Sequence, residues 1–289
     1  MSLNISIKSV LLVLGLCFCM VLLCGCIENQ SREPAMRVGQ SEVLTITGST
    51  TVLPVIAQAA EIFMDKNPDI EVLVTGGGSG VGVMSAGEGT AMVGMASRDI
   101  KREENEKYPG LVEHRIAIDG MVIITHITNP VPSLTLAQIK AIYNGTIRNW
   151  KEVGGKDGVI VVTGRDSASG TREFFHVEIM NREDFLQNQL EKNSNGAVWQ
   201  SVRQTPSAIG YVSLGYIDDD VYAVPILVEG KEIKPSIETV KNGLYPVARP
   251  LNLITNGEPA GITSDFISFL STPEIEQIII GEGFIPITR

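Results

Sequence analysis

The chain has 289 residues, 44% of them apolar and 19% charged, with a formal net charge of −10 at pH 7. That length accommodates two ordinary domains, and the apolar fraction describes packed cores, which excludes a disordered chain. The acidic balance excludes a sequence-independent grip on nucleic acid, which needs basic surface, but it leaves room for an anion held by local fields from helix ends and single arginines.

Lys8 precedes an apolar run over residues 10–23, too short for a comfortable membrane span and of the right length for the apolar part of a secretory signal. The run ends in Leu23-Cys24-Gly25-Cys26, which resembles a lipobox with Cys26 as the residue to be lipidated. Residues 1–25 therefore read as a signal peptide and 26–41 as a lipid-anchored tether; cleavage elsewhere or a retained anchor are the alternatives. All four cysteines (Cys17, Cys19, Cys24 and Cys26) lie in this segment, so the mature body is expected to carry no disulfide and no thiol chemistry.

From residue 43 onward the pattern is strand, turn, helix, repeated. Residues 43–47 alternate as a strand and run into Gly48-Ser49-Thr50-Thr51. Val52, Val55, Ile56, Ala59, Ala60 and Phe63 have helical spacing, and Asn67-Pro68 stops that helix after Lys66. Residues 70–75 form a second strand, followed by Gly76-Gly77-Gly78-Ser79-Gly80 and a short helix to Ala86. Residues 90–96 form a third strand, ending at Ser97-Arg98-Asp99. Residues 116–124 make a further apolar strand, and the new series beyond it predicts a crossing into a second lobe. There, residues 135–143 are helical, 159–163 are extended, and a helix opens at Thr171. A return strand is expected at residues 222–226, and residues 262–280 read as an amphipathic helix packing on the first lobe. These units imply an α/β protein with mainly parallel sheets flanked by helices, whose ligands sit at strand C-termini. The expected division is 42–121 with 223–289 for the first lobe and 122–222 for the second, with a double crossover hinge and a cleft between them.

Three turns each follow a strand and open a helix: Ser49-Thr50-Thr51, Gly78-Ser79-Gly80 and Ser169-Gly170-Thr171. Singly, each is an ordinary helix cap. Together, with arginines beside two of them, they point to an anion site. Helix starts present unpaired N–H groups and the positive end of the macrodipole, and glycines let a ligand approach the backbone. Arg98 and Arg165 each follow a strand directly and would supply fixed positive charge. Asp119 interrupts an apolar strand and needs a partner or a purpose. Either it forms a salt bridge to Arg98 or Arg165, or it accepts the proton of a hydrogen phosphate and repels fully deprotonated sulfate, because an ionised carboxylate only accepts hydrogen bonds. Asp99 and Asp166 read as orienting neighbours of the two arginines.

Competing motifs fail. No P-loop occurs, residues 76–82 lack the third glycine of a dinucleotide fingerprint, and Val81 replaces the last glycine of a Gly-x-Ser-x-Gly nucleophile elbow. His114, His126 and His176 show neither metal-ligand spacing nor pairing with a nucleophile. Asn144-Gly145-Thr146 reads either as a glycosylation sequon or as an Asn-Gly turn.

Taken jointly, these motifs resemble the phosphate-binding lipoproteins of ATP-driven phosphate uptake, receptors of the periplasmic-binding-protein type, from about Leu44 to the C-terminus. The resemblance is carried by Gly48-Ser49-Thr50-Thr51, Gly77-Gly78-Ser79-Gly80, Ala96-Ser97-Arg98, Ile118-Asp119-Gly120 and Ile142-Tyr143-Asn144-Gly145. Further along it rests on Asn149-Trp150, the turn from Arg165 to Thr171, Ala208-Ile209-Gly210-Tyr211-Val212 and Gly281-Glu282-Gly283-Phe284-Ile285-Pro286. It implies a type II two-lobed fold closing on a dehydrated phosphate held only by hydrogen bonds, with no catalysis, cofactor or metal. It further implies a monomer, lipid-anchored on the extracytoplasmic face, that delivers ligand to a membrane permease and its ATPase subunits. Carried over by position, Thr50, Thr51, Ser79, Ser169, Gly170 and Thr171 would donate to the ligand and Arg165 would make the charged contact. Some members place an aspartate directly after the Ala-Ser pair, where this chain has Arg98; the carboxylate role then passes to Asp119. Three rivals stand beside this reading: a receptor for sulfate, molybdate or tungstate; a secreted phosphatase or serine hydrolase using Ser79 or Ser169; and a sensory or adhesive surface protein.

Overall fold

In chain order the elements are β1 (Glu42–Gly48), α1 (Leu53–Lys66), β2 (Ile70–Gly76), α2 (Ser79–Glu88), β3 (Val93–Ala96), α3 (Arg102–Lys107) and the long β4 (Leu111–His126). Then come α4 (Leu136–Tyr143), β5 (Val161–Arg165), α5 (Gly170–Glu178), β6 (Leu190–Lys192), α6 (Asn195–Gln204) and β7 (Ala208–Ser213). They are followed by β8 (Val221–Ala223), β9 (Ile226–Val228), β10 (Lys231–Ile233), α7 (Ile237–Lys241), β11 (Ala248–Asn256), α8 (Ile262–Phe269), α9 (Pro273–Gly281) and β12 (Ile285–Pro286). This computed structural model describes residues 41–287. The signal-peptide and tether readings, and Cys26 with them, lie outside the described residues. Among the described residues no helix is long and apolar enough to cross a membrane.

Local chemistry explains the first unit. In β1, Leu44, Ile46 and Gly48 turn inward in strict alternation. α1 buries Val55, Ile56, Ala59, Ala60 and Phe63 along one stripe, with Pro54 in its first turn where a missing N–H costs nothing. At its end the Asn67 side-chain amide donates to Phe63 O at 2.8 Å, and Pro68 prevents continuation.

The main sheet runs β2-β1-β3-β11-β4-β7-β5-β6. Its wings are parallel, β1 with β2 and β3 on one side and β5 with β6 and β7 on the other. Its middle is antiparallel, because β4 serves both halves. Residues 111–120 of β4 pair with β11, and residues 121–125 pair with β7. Two large core clusters follow the same division. One contains Leu44, Ile46, Ile56, Phe63, Leu253 and Phe266; the other contains Ile123, Tyr143, Trp150, Phe175 and Tyr211.

Two expectations need correction. The segment around residues 222–226 is not a single return strand: β8 pairs with β4, β9 pairs with β10, and Val224-Pro225 separates them. Pro225 has no N–H to donate to a ladder. Val224, Ile226, Val240, Tyr245 and Val247 all join the second cluster, and the chain returns on β11, antiparallel to β4 and β3. The C-terminal helix is in fact two, α8 and α9, broken before Pro273, which takes the first helical position of α9. α8 packs on α1 through Phe266, whose ring meets Phe63 edge-on at 5.2 Å. Asn144 caps the end of α4 in a turn, its side chain accepting from Thr146 N–H at 3.0 Å.

An aromatic stack anchors α5. Phe175 is fully buried, with ring centroids 4.5 Å from Tyr143 and 4.3 Å from Tyr211. Tyr143 OH donates to Thr163 O at 3.2 Å, and Tyr211 OH accepts from Arg165 N–H at 3.1 Å, so the stack ties α5 to the end of β5. Phe175→Ala is expected to destabilise the chain by about 3–5 kcal/mol in urea unfolding. A loss under about 1 kcal/mol would show that the stack collapses around the gap and does not hold α5.

Candidate functional site

Strand ends deliver small polar side chains to one place. The Ser49-Thr50-Thr51 turn follows β1, Ser79 opens α2 beyond β2, and Ser97 follows β3. From the other half, Gly170 and Thr171 open α5 after β5, and Asn195 opens α6. Between them β11 contributes Arg249, directly opposite Asp119 in the antiparallel register with β4.

These residues form a buried ring. Thr51 Oγ1 lies 3.5 Å from Thr171 Oγ1 and accepts from Asn195 Nδ2 at 2.9 Å and from Arg249 Nη2 at 3.2 Å. Arg249 Nη1 reaches Ser97 Oγ at 3.4 Å, and Ser97 N–H donates to Ser79 Oγ at 3.0 Å. Gly170 closes the circuit: a Cβ there would overlap the Ser79 side chain and lie 2.9 Å from Ser97 Oγ. Thr51, Ser79, Ser97, Thr171, Asn195 and Arg249 are each at most 1% exposed. Polar groups buried this completely need partners. Apart from Arg249, the ring is built from hydroxyls, one amide NH₂ and helix-start N–H groups.

The two halves touch directly around the ring. Gly80 N–H donates to Ala168 O at 3.0 Å, and Gly78 sits at φ +95° with Ala168 O only 2.6 Å from where a Cβ would stand. Tyr216 OH donates to Thr50 O at 2.9 Å, and Lys101 Nζ pairs with Glu173 at 2.9 Å.

Charge is arranged behind the ring. Arg249 Nε and Nη2 donate to Asp119 Oδ2 at 2.9 and 2.7 Å, while Ser213 Oγ and Leu214 N–H donate to Oδ1 at 2.8 and 3.2 Å. Burial pushes the Asp119 carboxyl up from the usual carboxylate range, against the opposing pull of Arg249, Ser213 and the Leu214 N–H. Burial pushes the Arg165 guanidinium down, and the nearby positive charge of Arg249 adds to that. Burial also raises the Tyr211 phenol to about 12, so it remains a neutral partner for Arg165. Each of the two arginines thus has its own carboxylate, Asp119 paired directly with Arg249 and half-buried Asp166 beside Arg165. A ring that presents hydroxyls, N–H groups and the Arg249 guanidinium suits an anion.

Of the residues singled out in the sequence, Thr51, Ser79, Gly170 and Thr171 meet in the ring. Thr50 borders it, its Oγ1 3.4 Å from Asn195 Nδ2. Ser169 caps α5, its Oγ accepting from Arg172 N–H at 3.2 Å. Arg98 turns away: its guanidinium forms a two-pronged pair with Glu104 at 2.6 and 2.8 Å. Arg165 lies in the wall, donating from Nε and Nη2 to Lys192 O and Asn193 O, both at 3.1 Å. Asp119 does form a salt bridge, but to Arg249 and to neither expected arginine. The sequence reading missed Arg249, Asn195 and Ser213, and it used Ser97 only as part of a motif. One signal was available for Arg249, an arginine inside a run that folds as a buried strand. Asn195 looks like any polar residue at a helix start.

The model of the PBP superfamily domain matches residues 33–274. The chain is similar to the phosphate-binding protein PstS of Bacillus subtilis (strain 168), with 33% identity over 246 residues, 85% of this chain and 81% of that protein. Among solved structures it is similar to an ABC-transporter substrate-binding protein from Clostridium perfringens with bound phosphate, at 39% identity and a TM-score of 0.80, covering 86% of this chain and all of that one. It is also similar to an ABC-type phosphate transport receptor from Vibrio cholerae, at 30% identity and a TM-score of 0.71, covering 85% of this chain and 100% of that one. The chain belongs to the PBP superfamily and, within it, to the PstS family of phosphate-binding proteins.

Proposed function

We propose that the chain captures inorganic phosphate at the outer face of the cell membrane and delivers it to an ABC permease for import. The observation that carries this reading is the buried ring: donors from both halves converge on one point, backed by the Arg249 guanidinium. The relatives bear the names of phosphate-binding and phosphate-transport proteins. Thr50, Thr51, Ser79, Gly170 and Thr171, joined by Ser97, Asn195 and Arg249, hold the anion. Ser169, Arg98, Arg165 and Asp119 shape the cradle. Ligand bridging the halves draws an open–closed equilibrium towards closed, with the lobes hinging where β4 leaves the first core and β11 returns to it. The chain acts as a monomer tethered by lipid at Cys26, with residues 1–25 removed.

A hydrolase reading finds little support. Ser79 Oγ is engaged by Ser97 and Ser169 Oγ by the start of its own helix. Neither is hydrogen-bonded to a histidine among the described residues, so neither has a base to activate it.

Titration calorimetry of the chain with phosphate in phosphate-free buffer tests the reading. One site per chain is expected, and Thr51→Val should weaken it by about 10–150-fold, as befits one hydrogen bond to a charged partner at about 1.5–3 kcal/mol. Absence of phosphate heat sinks the proposal; turnover of a phosphate ester favours the hydrolase.

A further inference from the structure

We infer that Lys101 and Glu173 are positioning residues for capture: their ion pair latches the two halves together outside the ring and slows release of the ligand without touching it. The inference rests on the phosphate reading of the ring. Lys101 belongs to the first half, in the segment that follows β3, and Glu173 belongs to α5 in the second. Lys101 Nζ lies 2.9 Å from Glu173 Oε2, with 29% and 27% of the two side chains exposed. Among the described residues, no other ion pair joins the two halves.

Both partners are fixed to segments that carry ring residues. Lys101 N–H donates to Glu104 Oε2 at 2.9 Å, and Glu104 in turn holds Arg98, so the stem of Lys101 is anchored just beyond Ser97. Glu173 N–H donates to Ser169 O at 3.1 Å, in the turn that presents Gly170 and Thr171. A bond between the two side chains therefore holds Ser97 and Ser79 against Gly170, the approach on which the closed ring depends. Cavities of about 670 and 340 Å³ flank the pair, each lined by both Lys101 and Glu173, so no packed contact duplicates it on those sides.

The charge state suits a latch. Burial pushes the Glu173 carboxyl up, but the Lys101 hydrogen bond and charge, helped by Arg98 and His176, outweigh it and hold the group below the usual carboxylate range. Its place beside the ring also gives the pair a distinctive sign. A carboxylate this near an anion site repels the ligand, so by charge alone the loss of Glu173 would tighten phosphate binding. A latch predicts the reverse: without Glu173 the closed arrangement is less populated, and a ligand held only in that arrangement leaves sooner.

Calorimetry, with release of labelled phosphate into excess unlabelled phosphate, tests this on the full chain in detergent. Glu173→Gln is expected to weaken phosphate binding about 2–5-fold, the range of a partly exposed ion pair, with the loss carried by faster release. The urea midpoint without phosphate should stay near that of the parent, because the pair joins the halves and supports neither core. In a Lys101→Met background the same Glu173→Gln change should no longer weaken binding, since the latch is already gone. Unchanged or tighter binding in Glu173→Gln, or an equal loss in the Lys101→Met background, overturns the inference and leaves the phosphate reading standing. No phosphate binding by the parent chain removes both.

Discussion

Arg249→Ala is expected to abolish phosphate capture and to destabilise the chain by about 3–5 kcal/mol, the largest combined effect of any single change at the site. Arg249 and Asp119 are both fully buried, so removing the cation strands a carboxylate that keeps only Ser213 and the Leu214 N–H as donors. The same substitution removes the group joining Thr51 to Ser97 across the ring. Urea unfolding reads the first loss and calorimetry the second. Two further variants separate them. Arg249→Lys keeps the charge but loses the planar fork that serves Asp119, Thr51 and Ser97 together, so binding should fall although the cation remains. Replacing the pair, Asp119→Leu with Arg249→Met, removes both buried charges and should recover stability without recovering binding. If the double variant still binds phosphate tightly, Arg249 is structural and the anion is held elsewhere.

Gly170→Ala should have the opposite profile, with affinity lost and fold kept. The backbone at Gly170 is helical and tolerates alanine, so the only obstacle is the methyl group itself. That methyl would overlap Ser79 and press on Ser97, both contributed by the other half of the molecule. Overpacking of this kind costs about 1–3 kcal/mol, and it falls on the closed arrangement alone. Phosphate should therefore bind about 5–150-fold more weakly, while the urea midpoint without phosphate stays near that of the parent. Small-angle scattering should show a larger radius of gyration at subsaturating phosphate. An equal loss of stability without ligand would mean that Gly170 and Ser79 are packed together in every state of the protein.

Much of this site was legible from local pattern. A strand that runs into Gly-Ser-Thr and then into helical spacing is recognisable within a dozen residues, and Thr51, Ser79, Gly170 and Thr171 all came from such turns. Their physics is local too: a helix start leaves N–H groups unpaired whatever the rest of the fold does. Asp119 was visible as a charge in an apolar strand, with the correct implication that something must compensate it. The direction of the arginines was not visible. Arg98 pairs with Glu104, and Arg165 donates from Nε and Nη2 to the carbonyls of Lys192 and Asn193, partners that no local pattern announces.

The return path shows the same limit in the fold itself. Apolar residues around Val224 suggested a strand back to the first half, but Pro225 cannot donate to a ladder and the crossing waits for β11. That choice decides the site, because β11 is the element that carries Arg249.

The sequence by itself determined the strand–turn–helix units, the hydroxyl-bearing helix starts and the need for a partner to Asp119, since each follows from spacing or from the chemistry of one residue. Tertiary structure alone decided which cation pairs with Asp119 and which side chains meet in the ring. Asp119 and Arg249 are 130 residues apart and meet only through the antiparallel register of β4 and β11. Once that pair forms, the carboxylate is saturated and the guanidinium is aimed at the ring. The physical reason is that hydrogen-bond capacity is finite: an oxygen already filled by buried donors is not available to a ligand, and only the folded chain shows which oxygens are filled.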